Sequence, residues 1–195
     1  MATQPEMHDA DTGIGTLADE NALLRASLAE MRERLHELER LADTDTLTPL
    51  PNRRRFLREL DRVVSQSNRH GTPGAVLYID LNGLKVVNDR HGHVAGDAAL
   101  IHVARLLQAL IRTTDIVARI GGDEFGVILD HLDHNSAIET AERLARCIAE
   151  SPLDLGGIAV PLQAAIGVAT ILPGDSPDDV MQRADRNMYR AKSEF

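Results

Sequence analysis

Two prolines, Pro49 and Pro51, divide this chain of 195 residues into parts that cannot share one helix. Proline has no N–H to donate and its ring clashes with the preceding helical turn, so the chain must leave the helical conformation there. The residues before the prolines follow a heptad pattern, and those after them alternate between strand-like and helical runs. We therefore expect an unstructured N-terminus over 1–15, a helical stalk over 16–42 and a globular domain over 43–195.

The segment before the prolines has the heptad of a coiled coil. Positions d hold Leu17, Leu24, Met31 and Leu38, and positions a hold Asn21, Leu28, Leu35 and Ala42. A single Asn at an a position favours an in-register parallel pair, in which Glu20 faces the partner's Arg25 and Arg34 faces the partner's Glu39. We predict a homodimer through this parallel coiled coil. The alternative is one amphipathic helix that lies on its own domain.

Downstream of the prolines, the hydrophobic pattern predicts strands and helices in alternation. Strand-like runs cover 75–81, 116–120 and 125–129, and a strand pair broken at Pro161 covers 158–172. Helical spacing covers 53–67 after a capping Asn52, then 97–111, 136–150 and 178–192. This alternation predicts an α/β (α+β) sandwich, with a central antiparallel or mixed sheet flanked by helices.

Composition argues against two classes of partner. The formal charge is −9, with 30 acidic residues against 21 Lys and Arg, and there are only 3 Phe, 2 Tyr and no Trp. Such a chain has neither the basic surface nor the stacking aromatics that nucleic-acid binding uses. The sequence also has no apolar window long enough to span a membrane, and its single cysteine, Cys147, suits a reducing compartment. We expect a cytoplasmic protein that binds no nucleic acid and does not insert into a membrane.

Carboxylates occur where strand-like runs end. Asp80 follows the apolar run AVLYI, and Asp123 and Glu124 lie in the Gly121-Gly122 turn between two strands. Taken alone, Gly-Gly between strands indicates an ordinary tight hairpin with positive φ. Acids from a strand end and a neighbouring hairpin can also hold Mg²⁺ together with phosphate oxygens. The pattern predicts a metal and polyphosphate site without a Walker A loop, which this chain lacks.

Three segments taken together, DTDTLTPLPNRR, DLNGLKVVNDRHGHVAGD and RIGGDEF, resemble the GGDEF family of diguanylate cyclases from about Ala42 onward. The resemblance implies a sheet and helices like the palm of nucleotide polymerases and adenylate cyclases. It implies that two GTP condense to cyclic di-GMP and two pyrophosphates, at the interface of two GGDEF domains in a homodimer. Pro49 stands where the family usually has Gly, and Asn82-Gly83-Leu84 stands where many members have an acidic residue and Phe.

The resemblance also implies roles for the acids. Asp80, Asp123 and the Leu81 carbonyl correspond to the family's ligands for Mg²⁺, or for Mn²⁺ in its place. Glu124 corresponds to the second acid of the motif, where a carboxylate can help to deprotonate the attacking 3′-hydroxyl or bind the metal.

Further positions correspond to substrate contacts of the family. Asn88 and Asp97 match the guanine-binding pair, although Asp97 could instead cap the helix that follows it. Lys85 and Lys192 match phosphate-binding lysines, and Lys85 is counted with Asp123 and Glu124 among the catalytic residues. Gly121 and Gly122 would let the substrate approach the backbone.

Arg112-Thr113-Thr114-Asp115 matches the family's RxxD site, at which the product cyclic di-GMP inhibits the enzyme. Arginine can bind phosphate and stack on guanine, and aspartate can accept from the base edge. Arg143 matches a secondary arginine of that site. The alternative is an Arg at a helix end followed by an Asp that opens the next strand.

Three other functions stay open at this point. A non-catalytic cyclic di-GMP receptor would keep the RxxD site alone, and an adaptor would use only the coiled coil. An enzyme that accepts ATP is disfavoured by Asn88 and Asp97.

Overall fold

A computed structural model describes residues 10–193 of the chain, which divide into two compact units between Ala42 and Asp43. The elements in chain order are α1 (Ala10–Asp43), α2 (Arg53–His70), β1 (Gly74–Asn82), α3 (Leu84–His91), α4 (His93–Leu110), β2 (Ile116–Arg119), β3 (Glu124–Asp130), α5 (His134–Glu150), β4 (Leu153–Asp154), β5 (Ala159–Val160), β6 (Gln163–Thr170) and α6 (Pro177–Lys192). No helix in this described part is both long and apolar enough to cross a membrane.

The first unit is the helix α1. It begins at Ala10, upstream of the boundary at residue 16 that the heptad indicated, and most of the predicted unstructured N-terminus lies outside the described residues. The apolar side chains at the a and d positions are exposed; they are Leu17, Leu24, Leu28, Met31, Leu35 and Leu38. The Asn21 side chain donates to the Leu17 carbonyl one turn earlier, at 3.0 Å. The helix therefore presents an uncovered apolar stripe.

The second unit is built on a four-stranded sheet in the order β2-β3-β1-β6. Every strand pair in this sheet is antiparallel. The predicted sandwich of helices on a sheet is confirmed, and the sheet is antiparallel rather than mixed. In the central strand, Ile79 lies between Phe125 of β3 and Ile166 of β6.

Helices cover both faces of the sheet. Alternate residues of β1, such as Leu77 and Ile79, pack under α4 and α5, while Val76 and Tyr78 pack with α2 and α6. The α6 layer is close enough to require a glycine below it. A Cβ on Gly167 would lie 2.1 Å from the backbone carbonyl oxygen of Ala184.

Two sequence-based predictions about strands and turns were wrong. Residues 158–172 do not form a strand pair, because β5 pairs with β4 in a separate two-stranded sheet while β6 joins the main sheet. Pro161 between them has no N–H for a ladder, and the chain changes sheets there. The Gly121-Gly122 turn has no positive φ, so these glycines are not required by backbone conformation.

The helices also differ from expectation at one place. α3 was not predicted, and it lies between Gly83 and Gly92, which both have positive φ. α4 then begins at His93, four residues earlier than the pattern indicated. Asp97 consequently lies inside α4, which excludes the alternative that it is an N-cap.

Candidate active site

Antiparallel pairing of β1 with β3 brings the predicted acids together. Asp80 is the register partner of Glu124, so the two side chains leave the same face of the sheet. The Leu81 N–H donates to the Asp123 carbonyl at 2.9 Å, which places Asp123 beside the same strand end. Asp80 is only 7% exposed. Three carboxylates therefore occupy one end of the central strand pair.

Lys192, at the end of α6, binds this acidic group. Its Nζ lies 2.6 Å from Oδ1 of Asp80. The hydrogen bond to Asp80 raises the pKa of Lys192, and the negative charges of Asp123 and Glu124 raise it further. Partial burial lowers this pKa but does not outweigh them. The site thus already attracts and holds a positive charge.

Tyr78, which the sequence analysis did not single out, positions Glu124. Burial raises the pKa of Tyr78, and its hydrogen bond to the Glu124 carboxylate raises it further. The same carboxylate lies over Gly121, where a Cβ would be 2.0 Å from Oε2 of Glu124. Tyr78 stands two residues before Asp80 on the same face of β1, which is the only sequence signal for this role.

The donor set fits a magnesium ion that is shared with a phosphate group. Mg²⁺ is commonly held by one or two carboxylates together with substrate phosphates and water. Asp80, Asp123 and Glu124 offer hard oxygens of this kind, and the ammonium of Lys192 shows that a cation is stabilised beside them. Within the described part of the chain, no three Asp, Glu, His or Cys side chains already form a metal-binding cluster. Phosphate oxygens and water would complete the coordination of such an ion.

The predicted guanine contacts lie on α3 and α4. The Asn88 side chain packs on Gly96, where a Cβ would be 2.0 Å from Oδ1 of Asn88. That oxygen is buried and accepts no hydrogen bond from the described residues. Asp97 follows Gly96 and is exposed, and Lys85 is exposed one turn before Asn88. The structure thus brings Asn88 beside the residue that precedes Asp97.

Arg112 and Asp115 of the RxxD sequence line a cavity of about 360 Å³. The Arg112 N–H donates to Oδ2 of Asp115 at 3.1 Å, while Oδ1 of Asp115 is buried without a partner among the described residues. Arg55 of α2 also lines this cavity, and the sequence analysis gave it no role. Arg143 of α5 donates to the Leu110 carbonyl at the end of α4, at 3.0 Å.

Comparison with known proteins places these features in a family. The family model described as "Diguanylate cyclase, GGDEF domain" matches residues 42–195. The chain is 38% identical over 175 residues to the bifunctional diguanylate cyclase/cyclic di-GMP phosphodiesterase MucR of Pseudomonas aeruginosa, covering 89% of this chain and 25% of MucR. It is 36% identical over 193 residues to the diguanylate cyclase TpbB of the same organism, covering 93% of this chain and 44% of TpbB.

A solved structure is similar in both sequence and fold. The coiled coil and GGDEF domain of DgcB from Caulobacter crescentus, in complex with c-di-GMP, is 29% identical with a TM-score of 0.82, over 92% of this chain and 95% of that one. The chain spans less than half the length of MucR and of TpbB. The family match nevertheless covers most of the sequence, and the chain belongs to the GGDEF-domain family of diguanylate cyclases.

Proposed function

We propose that this protein is a diguanylate cyclase, which condenses two GTP into cyclic di-GMP and releases two pyrophosphates. The observation that carries the proposal is the group of three carboxylates at the β1–β3 strand end, with the Lys192 ammonium bound to Asp80. Such a group fits a triphosphate and its metal ion, because anionic oxygens hold the ion and the ammonium can contact a phosphate.

The unpaired oxygen of Asn88 supports guanine as the base. Guanine presents a ring N–H and an exocyclic amine side by side, which can donate to Oδ1 of Asn88 and to the Asp97 carboxylate. Adenine does not present that pair of donors. GTP is therefore favoured over ATP as the substrate.

The site residues divide the chemistry among them. Asp80, Asp123 and the Leu81 carbonyl would hold Mg²⁺, or Mn²⁺ in its place, and the bound ion would neutralise charge on the phosphates. Glu124, oriented by Tyr78, would accept the proton of the 3′-hydroxyl or bind the metal. Lys192 and Lys85 would contact the phosphates, and the backbone of Gly121 and Gly122 would lie close to them.

Each domain would bind one GTP, so two domains must face each other. The 3′-oxygen of one GTP forms a bond to the α-phosphorus of the other, and the bond from that phosphorus to pyrophosphate breaks. A second such step, in which the two nucleotides exchange roles, closes the ring. The exposed apolar stripe of α1 supports a homodimer through a parallel coiled coil, since the structure of DgcB similar to this chain includes a coiled coil. Such a stalk would raise the local concentration of the second domain to the millimolar range.

The first test measures cyclic di-GMP and pyrophosphate after incubation with GTP and Mg²⁺, once any bound cyclic di-GMP has been removed. We expect product from the wild type and a loss of about 100-fold or more in Glu124→Gln, because a general base contributes at least that much. Glu142→Gln, an exposed acid on α5, is the matched control and should retain full activity. A wild type that makes no product but binds cyclic di-GMP would contradict the proposal. It would instead favour the function of a non-catalytic cyclic di-GMP receptor.

We also propose that cyclic di-GMP inhibits the enzyme at the cavity lined by Arg112 and Asp115, with Arg143, which donates to the Leu110 carbonyl at the end of α4, as a secondary contact. The unpaired Oδ1 of Asp115 supports this, because a buried acceptor without a partner suits a donor on a guanine edge.

Arg112→Ala should weaken inhibition roughly 10- to 100-fold, since a hydrogen bond to a charged group contributes about 1.5–3 kcal/mol. The readout is the inhibition constant of added cyclic di-GMP. Arg105→Ala, an exposed arginine on α4, should leave that constant unchanged. Equal inhibition of the wild type and Arg112→Ala would place the inhibitory site elsewhere.

A further inference from the structure

Arg119, the last residue of β2, holds the turn that carries Asp123 and Glu124. Its guanidinium donates to the Gly122 carbonyl from Nη2 at 2.8 Å and from Nε at 3.3 Å. Only 14% of the side chain is exposed. The turn has no glycine with positive φ, so this side-chain contact, rather than a special backbone conformation, fixes its carbonyl.

The opposite edge of the same guanidinium binds Asp45, which lies in the segment that enters the domain. Nη1 of Arg119 is 3.1 Å from Oδ1 and 3.4 Å from Oδ2 of Asp45. Oδ1 also accepts from the N–H and the hydroxyl of Thr48, both at 2.8 Å. Burial acts to raise the pKa of Asp45, but the hydrogen bonds from Thr48 and Arg119 outweigh it and hold the pKa below its ordinary value. Asp45 is thus a fixed anion rather than a mobile surface charge.

The entry segment that contains Asp45 is itself firmly attached. The Asp43 carboxylate binds the guanidinium groups of Arg54 and Arg58 on α2. The Arg119 N–H donates to the Pro51 carbonyl at 3.0 Å, and the Asn52 N–H donates to the Asp43 carbonyl at 2.8 Å. Residues 43–52 are therefore connected to the active-site turn through the backbone and the side chain of one residue.

From this geometry we infer that Arg119 is a positioning residue, through which the place of Asp45 sets the place of the turn that carries Asp123 and Glu124. The inference rests on the proposed cyclase function. A guanidinium has donors on separate edges, so one planar group can bind Asp45 and the Gly122 carbonyl together. A shift of Asp45 would pull or release Arg119, and a misplacement of about 1 Å near reacting groups costs about 100-fold in rate.

The decisive variant is Asp45→Asn, because the Asp45 side chain forms hydrogen bonds with Leu47, Thr48 and Arg119 and, among the described residues, none with the turn itself. Asparagine keeps Oδ1, which accepts from Thr48 and from Nη1 of Arg119, but it removes the carboxylate charge and replaces Oδ2 with an amide donor that faces the guanidinium. We expect faster hydrogen exchange at the amides of Leu81 and Gly121, which donate to the Asp123 and Glu124 carbonyls. We also expect a fall of about tenfold or more in kcat with little change in KM, since positioning acts on the bound state.

The chain offers a matched control with the same chemistry. Arg183 donates to both carboxylate oxygens of Asp175, at 2.9 and 2.6 Å, and to the Thr170 carbonyl at 2.8 Å. Asp175→Asn therefore breaks an equivalent Arg-to-Asp and carbonyl arrangement between β6 and α6. It should leave exchange at the amides of Leu81 and Gly121 at the wild-type rate.

A second variant, Arg119→Lys, keeps the charge but offers a single donor centre for two acceptors. It should reproduce the exchange and kcat effects, and the double variant with Asp45→Asn should be no worse than Arg119→Lys alone. Wild-type exchange at the turn in both Asp45→Asn and Arg119→Lys would overturn the inference, as would equal loosening of the turn in Asp175→Asn. If the wild type makes no cyclic di-GMP, the proposed function fails, and the exchange rates still decide whether Arg119 links Asp45 to the turn.

Discussion

Asn88 depends on a neighbour that has no side chain. Gly96 lies in the first turns of α4 with no positive φ, so its backbone would accept other residues. The space above it does not, because a Cβ there would lie 2.0 Å from Oδ1 and 2.8 Å from Cγ of Asn88. The helix α4 thus shapes the position of a side chain on α3. A glycine in a helix usually costs about 1 kcal/mol relative to alanine, and here the close packing of Asn88 accounts for it.

Gly96→Ala should therefore act on GTP binding through Asn88. We expect the Asn88 amide to be displaced, and KM for GTP to rise roughly 5- to 100-fold, which corresponds to the loss of about 1–3 kcal/mol from an unmade hydrogen bond. The measurement is KM, with equilibrium binding of a GTP analogue that cannot react. The double variant Gly96→Ala/Asn88→Ala should bind no more weakly than Asn88→Ala alone. A normal KM in Gly96→Ala beside a raised KM in Asn88→Ala would contradict this account.

Arg119 and Tyr78, which sequence reasoning missed, share one property, which is that their partners are distant in the chain. Asp80, Asp123 and Glu124 were predictable because a strand-end and turn pattern marks them. Arg119 was not, since its role depends on Asp45, 74 residues earlier. Tyr78 was overlooked for a similar reason, because its contact with Glu124 exists only once β1 and β3 are paired.

At the level of elements, strongly patterned segments were predictable and short ones were not. The strand at 75–81 and the helix at 136–150 were found as β1 and α5, because the first is a continuous apolar run of strand length and the second has a clear helical period. α3 has only eight residues and one buried side chain, Val87, so its pattern is too short to read. Its ends are set by backbone at Gly83 and Gly92, where φ is +72° and +84°.

The smaller sheet shows a second limit of pattern reading. β4 and β5 have two residues each, and Leu153 pairs with Val160 across a turn that contains two glycines of positive φ, Gly156 and Gly157. The alternation of apolar and polar residues after Pro161 fits pairing of this segment with β5 as well as with β1. Only the place of β6 beside β1 in the main sheet decides the choice, and that place is a long-range contact.

For the whole molecule, the proposed reaction requires two copies of the chain, since each domain supplies one set of carboxylates. The stalk offers a direct test because its two most informative leucines differ in heptad position. Leu28 occupies an a position and is 53% exposed in the single chain, whereas Leu23 occupies a c position and is 73% exposed. Exposure alone would make Leu23 the better candidate for a contact between two α1 helices. The heptad position instead indicates Leu28.

If the proposed homodimer forms through α1, Leu28→Glu should convert it into a monomer, because the substitution places two like charges in the seam of a parallel pair. Light scattering measures the mass. Activity per molecule should fall at least about tenfold at micromolar protein, since the proposed stalk would otherwise hold the second domain at a millimolar effective concentration. Activity should then rise with the square of the protein concentration. Leu23→Glu adds the same charge outside the seam and should keep both the dimer and its activity. A dimeric Leu28→Glu, or a monomeric Leu23→Glu, would show that α1 pairs through a different face or that the domains associate without it.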